Sequence, residues 1–101
     1  MAVLEIKLNN PITEKEIQKL KTKLITSKGY EFLIIDVGKH QFESTNVIKL
    51  MREELEKLEA DLLEFKKIAF VVPPQFVNGN NILKTLKYFS SKTDAKRWVV
   101  S

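Results

Sequence analysis

The sequence predicts an α/β domain: four strands in a mixed, mostly parallel sheet, with helices mainly on one face. Three observations lead there. Strand-like segments alternate with segments of helical spacing along the whole chain, an order that implies right-handed crossovers between parallel strands. Two apolar runs, Phe32–Ile35 and Ile68–Val72, are continuous, as in strands buried on both faces. The chain has 101 residues, 44% of them apolar, which suits one core, so residues 1–101 read as a single domain.

Each element has its own signal. Residues 2–8 alternate apolar and charged side chains around Glu5 and Lys7, the pattern of a first strand. Asn9-Asn10-Pro11 breaks it. Thr13 followed by Glu16 has capping-box spacing, and Ile12 with Ile17 has the spacing of a hydrophobic staple. A helix therefore starts at Thr13, buries Ile17, Leu20 and Leu24 on one face, and stops at Gly29. Tyr30–Val37 reads as the second strand, and Gly38-Lys39 opens a loop. A long helix is expected from about Thr45 to Phe65, with Ile48, Met51, Leu55, Leu58, Leu62 and Phe65 turned to the core.

Lys66-Lys67 lead into the third strand, Ile68–Val72, which Pro73-Pro74 ends. Gln75–Asn81 reads as a loop with Asn78-Gly79-Asn80-Asn81 at its tip, and a short helical turn is expected over Asn80–Leu83. The fourth strand falls at about Thr85–Phe89. Ser91 and Asp94 repeat the capping-box spacing and open a last helix, about Lys92–Val99, with Ala95, Trp98 and Val99 inward.

Composition narrows the function classes. The absence of cysteine excludes disulfides, thiolate metal sites and cysteine nucleophiles, and fits a reducing compartment. No apolar run approaches the ~18 residues of a membrane span, and the N-terminus lacks a signal-peptide core, so a soluble, cytoplasmic domain is expected. The net charge of +4 is unevenly spread: residues 44–64 sum to −3, and residues 65–101 carry seven bases against Asp94 alone. That basic third is the signature of a nucleic-acid or acidic-partner surface, or simply of a solvated face. A nucleic-acid role is the weaker expectation, because all but Arg97 of those bases are lysines and Tyr88 and Phe89 point to opposite faces of a strand.

Catalytic patterns are missing. The sequence contains neither nucleotide-binding glycine motif and no nucleophile elbow, and its three glycines are too scattered to cradle phosphate. His40 is the lone histidine and cannot build a zinc site without neighbouring ligands. Asp36 ends a strand, where α/β proteins place ligands. A phospho-acceptor role needs further carboxylates for Mg²⁺, and the other strand ends supply none; Asp36 reads instead as a turn residue accepting backbone N–H groups. No metal, no cofactor and no enzymatic activity are expected.

The informative segment is Asp36–Leu50, DVGKHQFESTNVIKL. A buried strand passes through a short loop into a helix whose N-cap is Ser44 or Thr45. Capping alone explains a hydroxyl there. A regulated hydroxyl is the functional alternative: a phosphoryl group adds about −1.5 to −2 charges, which a helix N-terminus tolerates and an acidic or apolar partner does not.

With LIID at 33–36 followed by FEST at 42–45, and a long helix before IAFVV at 68–72, nearly the whole chain resembles the STAS domain, the family of anti-sigma factor antagonists and of sulfate-transporter cytoplasmic tails. The ending LKYFSSKTDAKRWV is similar to the stand-alone STAS-like branch. In the antagonists, a hydrophobic residue and an Asp-Ser-Ser-Gly run open the helix, and the partner anti-sigma kinase phosphorylates the first serine. The resemblance matches Phe42 to the hydrophobic residue, Glu43 to the acid, Ser44 to the phosphoserine and Thr45 to the second serine. Asn46 stands in place of the glycine, and the loop is about one residue shorter.

The resemblance implies a non-enzymatic protein-interaction module, with anti-sigma factor antagonism controlled by serine phosphorylation as its particular form. The phosphorylation candidates are Ser44 and Thr45. The partner surface is Gly38, His40, Phe42, Glu43, Asn46 and Lys49, and the partner is a protein such as an anti-sigma kinase. Two alternatives stay open: a small-ligand or lipid carrier with a pocket along Val72–Asn81, near Phe70 and Phe76, and a nucleic-acid-binding domain.

Overall fold

Four strands lie side by side in the order in which the chain makes them: β1 (Val3–Lys7), β2 (Phe32–Asp36), β3 (Lys67–Val71) and β4 (Leu86–Phe89). The computed structural model describes residues 2–27, 29–76 and 86–101. All three strand pairings are parallel, so the expected mixed sheet is corrected to an all-parallel one. Parallel neighbours need crossover connections rather than hairpins, and no strand has an antiparallel partner among the described residues. The α/β class and the excess of helix on one face agree with the sequence reading.

Helices α1 (Glu14–Thr26), α2 (Thr45–Lys57) and α3 (Glu59–Leu62) pack on one face; α4 (Lys92–Val99) covers the other. Strand alternation divides the core accordingly. Ile6, Leu33, Ile35, Ile68, Phe70 and Leu86 meet the first three helices. Phe32, Ile34 and Ala69 meet Ala95 and Val99 of α4. β2 is buried on both faces, as its unbroken apolar run demands.

The caps are where the sequence places them, with one difference. Thr13, Ser44 and Ser91 each accept a backbone N–H three residues on. Ile12 and Ile17 are both fully buried, as a staple requires. Glu16, however, does not close its capping box on Thr13: its Oε1 accepts the N–H of Asn9 at 2.8 Å and so braces the end of β1.

The long helix expected over residues 45–65 is broken at Leu58, which separates α2 from α3. Before the break the buried stripe is offset by one residue from the expected one, at Val47 and Glu54; from Leu58 onward it coincides with it. Val47, Met51, Glu54, Leu58, Leu62 and Phe65 are buried, Leu55 is half-buried, and Ile48 is 41% exposed rather than in the core. Trp98, expected inward, is half-buried and tilts against Phe89 at a ring separation of 5.5 Å. A 3₁₀ turn, Pro74–Phe76, follows β3. The expected loop tip at Asn78–Asn81 and the helical turn at Asn80–Leu83 lie outside the described residues.

Candidate functional site

Parallel strands bring the β1–α1 and β2–α2 loops to the same end of the sheet, the end where α/β proteins place their sites. Here the two loops are laced together. Asn10 Nδ2 donates to the Val37 carbonyl at 3.2 Å, and Asn10 Oδ1 accepts the N–H of Gln41 at 2.9 Å. Ile12 N donates to Gln41 O at 2.7 Å, and Glu43 N donates to Ile12 O at 2.9 Å, forming a short parallel bridge between Ile12 and Phe42. The β2–α2 loop is thereby held along its length before the helix begins.

Within that loop, Asp36 Oδ1 accepts the N–H of Gly38 at 2.9 Å, the turn role read from the sequence. Gly38 has φ +65, and a Cβ there would run into the Asn10 side-chain amide, so the position takes glycine for two reasons. His40 also has a left-handed backbone, φ 56, and sets its ring edge-on to Phe42 at 4.9 Å. Burial lowers the His40 pKa below the ordinary imidazole value, against a backbone hydrogen bond that acts to raise it.

The sequence-derived residues fall into two groups. Gly38, Glu43, Ser44, Thr45, Asn46 and Lys49 are exposed, while His40 and Phe42 are half-buried. Ser44 is the N-cap: its Oγ accepts the Val47 N–H at 3.4 Å, and its carbonyl accepts Val47 N and Ile48 N. The first turn of α2 carries no acid, and the carboxylate nearest its N-terminus is Glu43, just before the cap.

Two apolar hollows lie along α2 on the sheet face, the first nearer its N-terminal half and the second toward α3. One, of about 230 Å³, lies among His40, Phe42, Ile48, Arg52, Leu55 and Tyr88. The other, of about 350 Å³, is formed by Leu55, Leu62, Phe70 and Leu86 under Arg52, Glu56 and Glu59. Phe70 and Tyr88 pack at 5.5 Å, and burial raises the Tyr88 phenol pKa. Sequence reasoning missed Asn10, Ile48 and Arg52. Asn10 carries no local signal, because its partners Val37 and Gln41 lie across the crossover, and nothing in helical spacing alone separates Ile48 from the core stripe.

The basic C-terminal third is largely engaged by the protein itself. Lys92 and Lys96 close on the Glu5 carboxylate at 3.3 and 3.2 Å, and Lys66 reaches Glu31 at 3.7 Å. Lys67 Nζ donates to the Trp98 and Ser101 carbonyls at 3.0 Å, and Lys87 lies over the Trp98 ring at 5.4 Å. Among the described residues no cluster of three or more His, Asp and Glu could hold a metal ion, and no helix is long and apolar enough to cross a membrane.

No family model, curated protein or solved structure matches the chain.

Proposed function

We propose that the chain is a non-enzymatic protein-interaction module of the STAS type, acting as an anti-sigma factor antagonist or in an equivalent switch. Its contact surface is the Gly38–Glu43 loop with the start of α2, and phosphorylation of Ser44 controls it. The observation that carries this reading is the exposure of Ser44, Thr45 and Asn46 on the first turn of a helix that has no acid there. A hydroxyl so placed is open to a kinase, and a phosphate on it would be tolerated by the helix end while changing the charge a partner meets. The bracing of the loop by Asn10 supports it further, because a pre-organised loop loses little entropy on docking.

The test is capture of the native partner by the wild-type chain and by Ser44→Asp, with phosphosite mapping of the protein from its own cell. Loss of the partner by Ser44→Asp with an unchanged melting temperature is expected. Capture that is indifferent to Ser44→Asp, or lost only in step with stability, overturns the switch.

A second reading, a carrier of a small apolar ligand, is favoured by the 350 Å³ hollow beside Phe70, which is at the lower end of small-molecule sites (~300–1,000 Å³). Native mass spectrometry of the purified protein checks it: a stoichiometric adduct lost in Leu62→Trp is the result it requires.

A further inference from the structure

We infer that the hollow between α2 and the C-terminal ends of β3 and β4 receives an apolar side chain flanked by carboxylates on the partner protein, with Ile48 as the apolar anchor and Arg52 as the charge that selects it. This deepens the proposed interaction surface and rests on that reading.

The apolar part follows from exposure. Val47 is buried, whereas the adjacent Ile48 is 41% exposed beside the 230 Å³ hollow. That volume lies below the small-molecule range and suits the insertion of a side chain. Ile48 is four residues after Ser44, so the two stack on one helix face. Ile48 therefore lies one turn from Ser44, near enough for a partner that buries the apolar anchor to meet the phosphorylatable hydroxyl as well.

The acidic part follows from charge. Arg52 borders both hollows and has no carboxylate or hydrogen-bond partner among the described residues. Lys49 is exposed one turn earlier, and the acids of α2 begin only at Glu53. The N-terminal half of the helix is therefore cationic, adding to the positive end of its dipole. An exposed isoleucine beside a guanidinium unpaired among the described residues offers apolar area to bury and a fork that recognises a carboxylate. Phosphate at Ser44 would repel such a partner directly, since both would be anionic.

The experiment follows backbone amide resonances of the intact chain during titration with a short peptide in which leucines alternate with glutamates. Two controls accompany it, one with lysine for glutamate and one with alanine for leucine. Shifts centred on Ile48, Arg52, Leu55 and Tyr88 are expected with the first peptide, with binding at least about tenfold weaker for either control. Ile48→Asp and Arg52→Glu, both surface changes, should each weaken it to a similar degree. Arg52→Glu should also turn the preference toward the lysine peptide. Absence of shifts around Ile48, or equal binding of the lysine peptide, overturns the inference. The two readings fail separately. Peptide binding at the hollow that Ser44→Asp leaves unchanged supports the anchor and sinks the switch. Partner capture that depends on Ser44 but not on Ile48 or Arg52 does the reverse.

Discussion

The side-chain amide of Asn10 reaches across from the first crossover to the Val37 carbonyl at 3.2 Å, beside the glycine that has no room for a Cβ. The same amide also holds Gln41 through its oxygen, so one residue sets the path of the loop that leads into α2. Gly38→Ala should lower the melting temperature by roughly 5–15 °C, because it combines a left-handed backbone with a collision against that amide. Asn10→Ala should cost about 1–3 kcal/mol through the groups it leaves unpaired. Thermal unfolding followed by circular dichroism measures both, and a Gly38→Ala protein as stable as wild type would contradict the geometry.

Capping and switching at Ser44 are separable. Aspartate caps a helix as well as serine does, so Ser44→Asp should leave the melting temperature within about 2 °C of wild type. Ser44→Ala should lose about 1 kcal/mol, or roughly 4–8 °C. If Ser44→Asp destabilises as much as alanine, the capping geometry at Val47 is wrong.

Glu54 is buried on α2 between Lys21 and Lys57, at 3.3 and 3.6 Å, yet its Oε2 makes no hydrogen bond. A buried carboxylate paired this incompletely contributes little net stability, and removing only its partner is worse than removing it. Glu54→Leu should therefore hold or raise the melting temperature. Lys21→Met should lower stability by about 1–3 kcal/mol, below the usual figure for a broken buried pair because Lys21 is partly solvated. Chemical denaturation of the two variants and their double variant gives the coupling.

His40 prefers its neutral form in the folded chain, since its burial lowers the pKa. The unfolded chain then binds more protons as the pH drops below about 6.5. The stability contributed by His40 is present above that value and declines as the pH falls through the folded pKa. His40→Asn keeps a residue that accepts the left-handed backbone and removes the titration, so it should flatten this part of the stability profile. An imidazole resonance that titrates above pH 6.5 would contradict the burial.

Much of this architecture was legible because local signals agreed with one another. Thr13, Ser44 and Ser91 announced three helix starts, and the run Phe32–Ile35 announced a strand covered on both sides. The parallel direction of every pairing was less so, because direction depends on where crossovers land and not on any residue in the strand. The helix break at Leu58 escaped notice since no glycine or proline marks it. At the site, Ser44 was legible as a cap. Asn10 was not, since its partners lie 27 and 31 residues away in sequence.

Because each strand joins only strands consecutive with it in the chain, no ladder waits for a distant segment to arrive. A ribosome releasing this polypeptide would present β1, α1 and β2 together as a unit able to pair at once, with the later strands adding in turn. Assembly can thus keep pace with synthesis. Among the described residues, β1 and β4 form the two borders of the sheet.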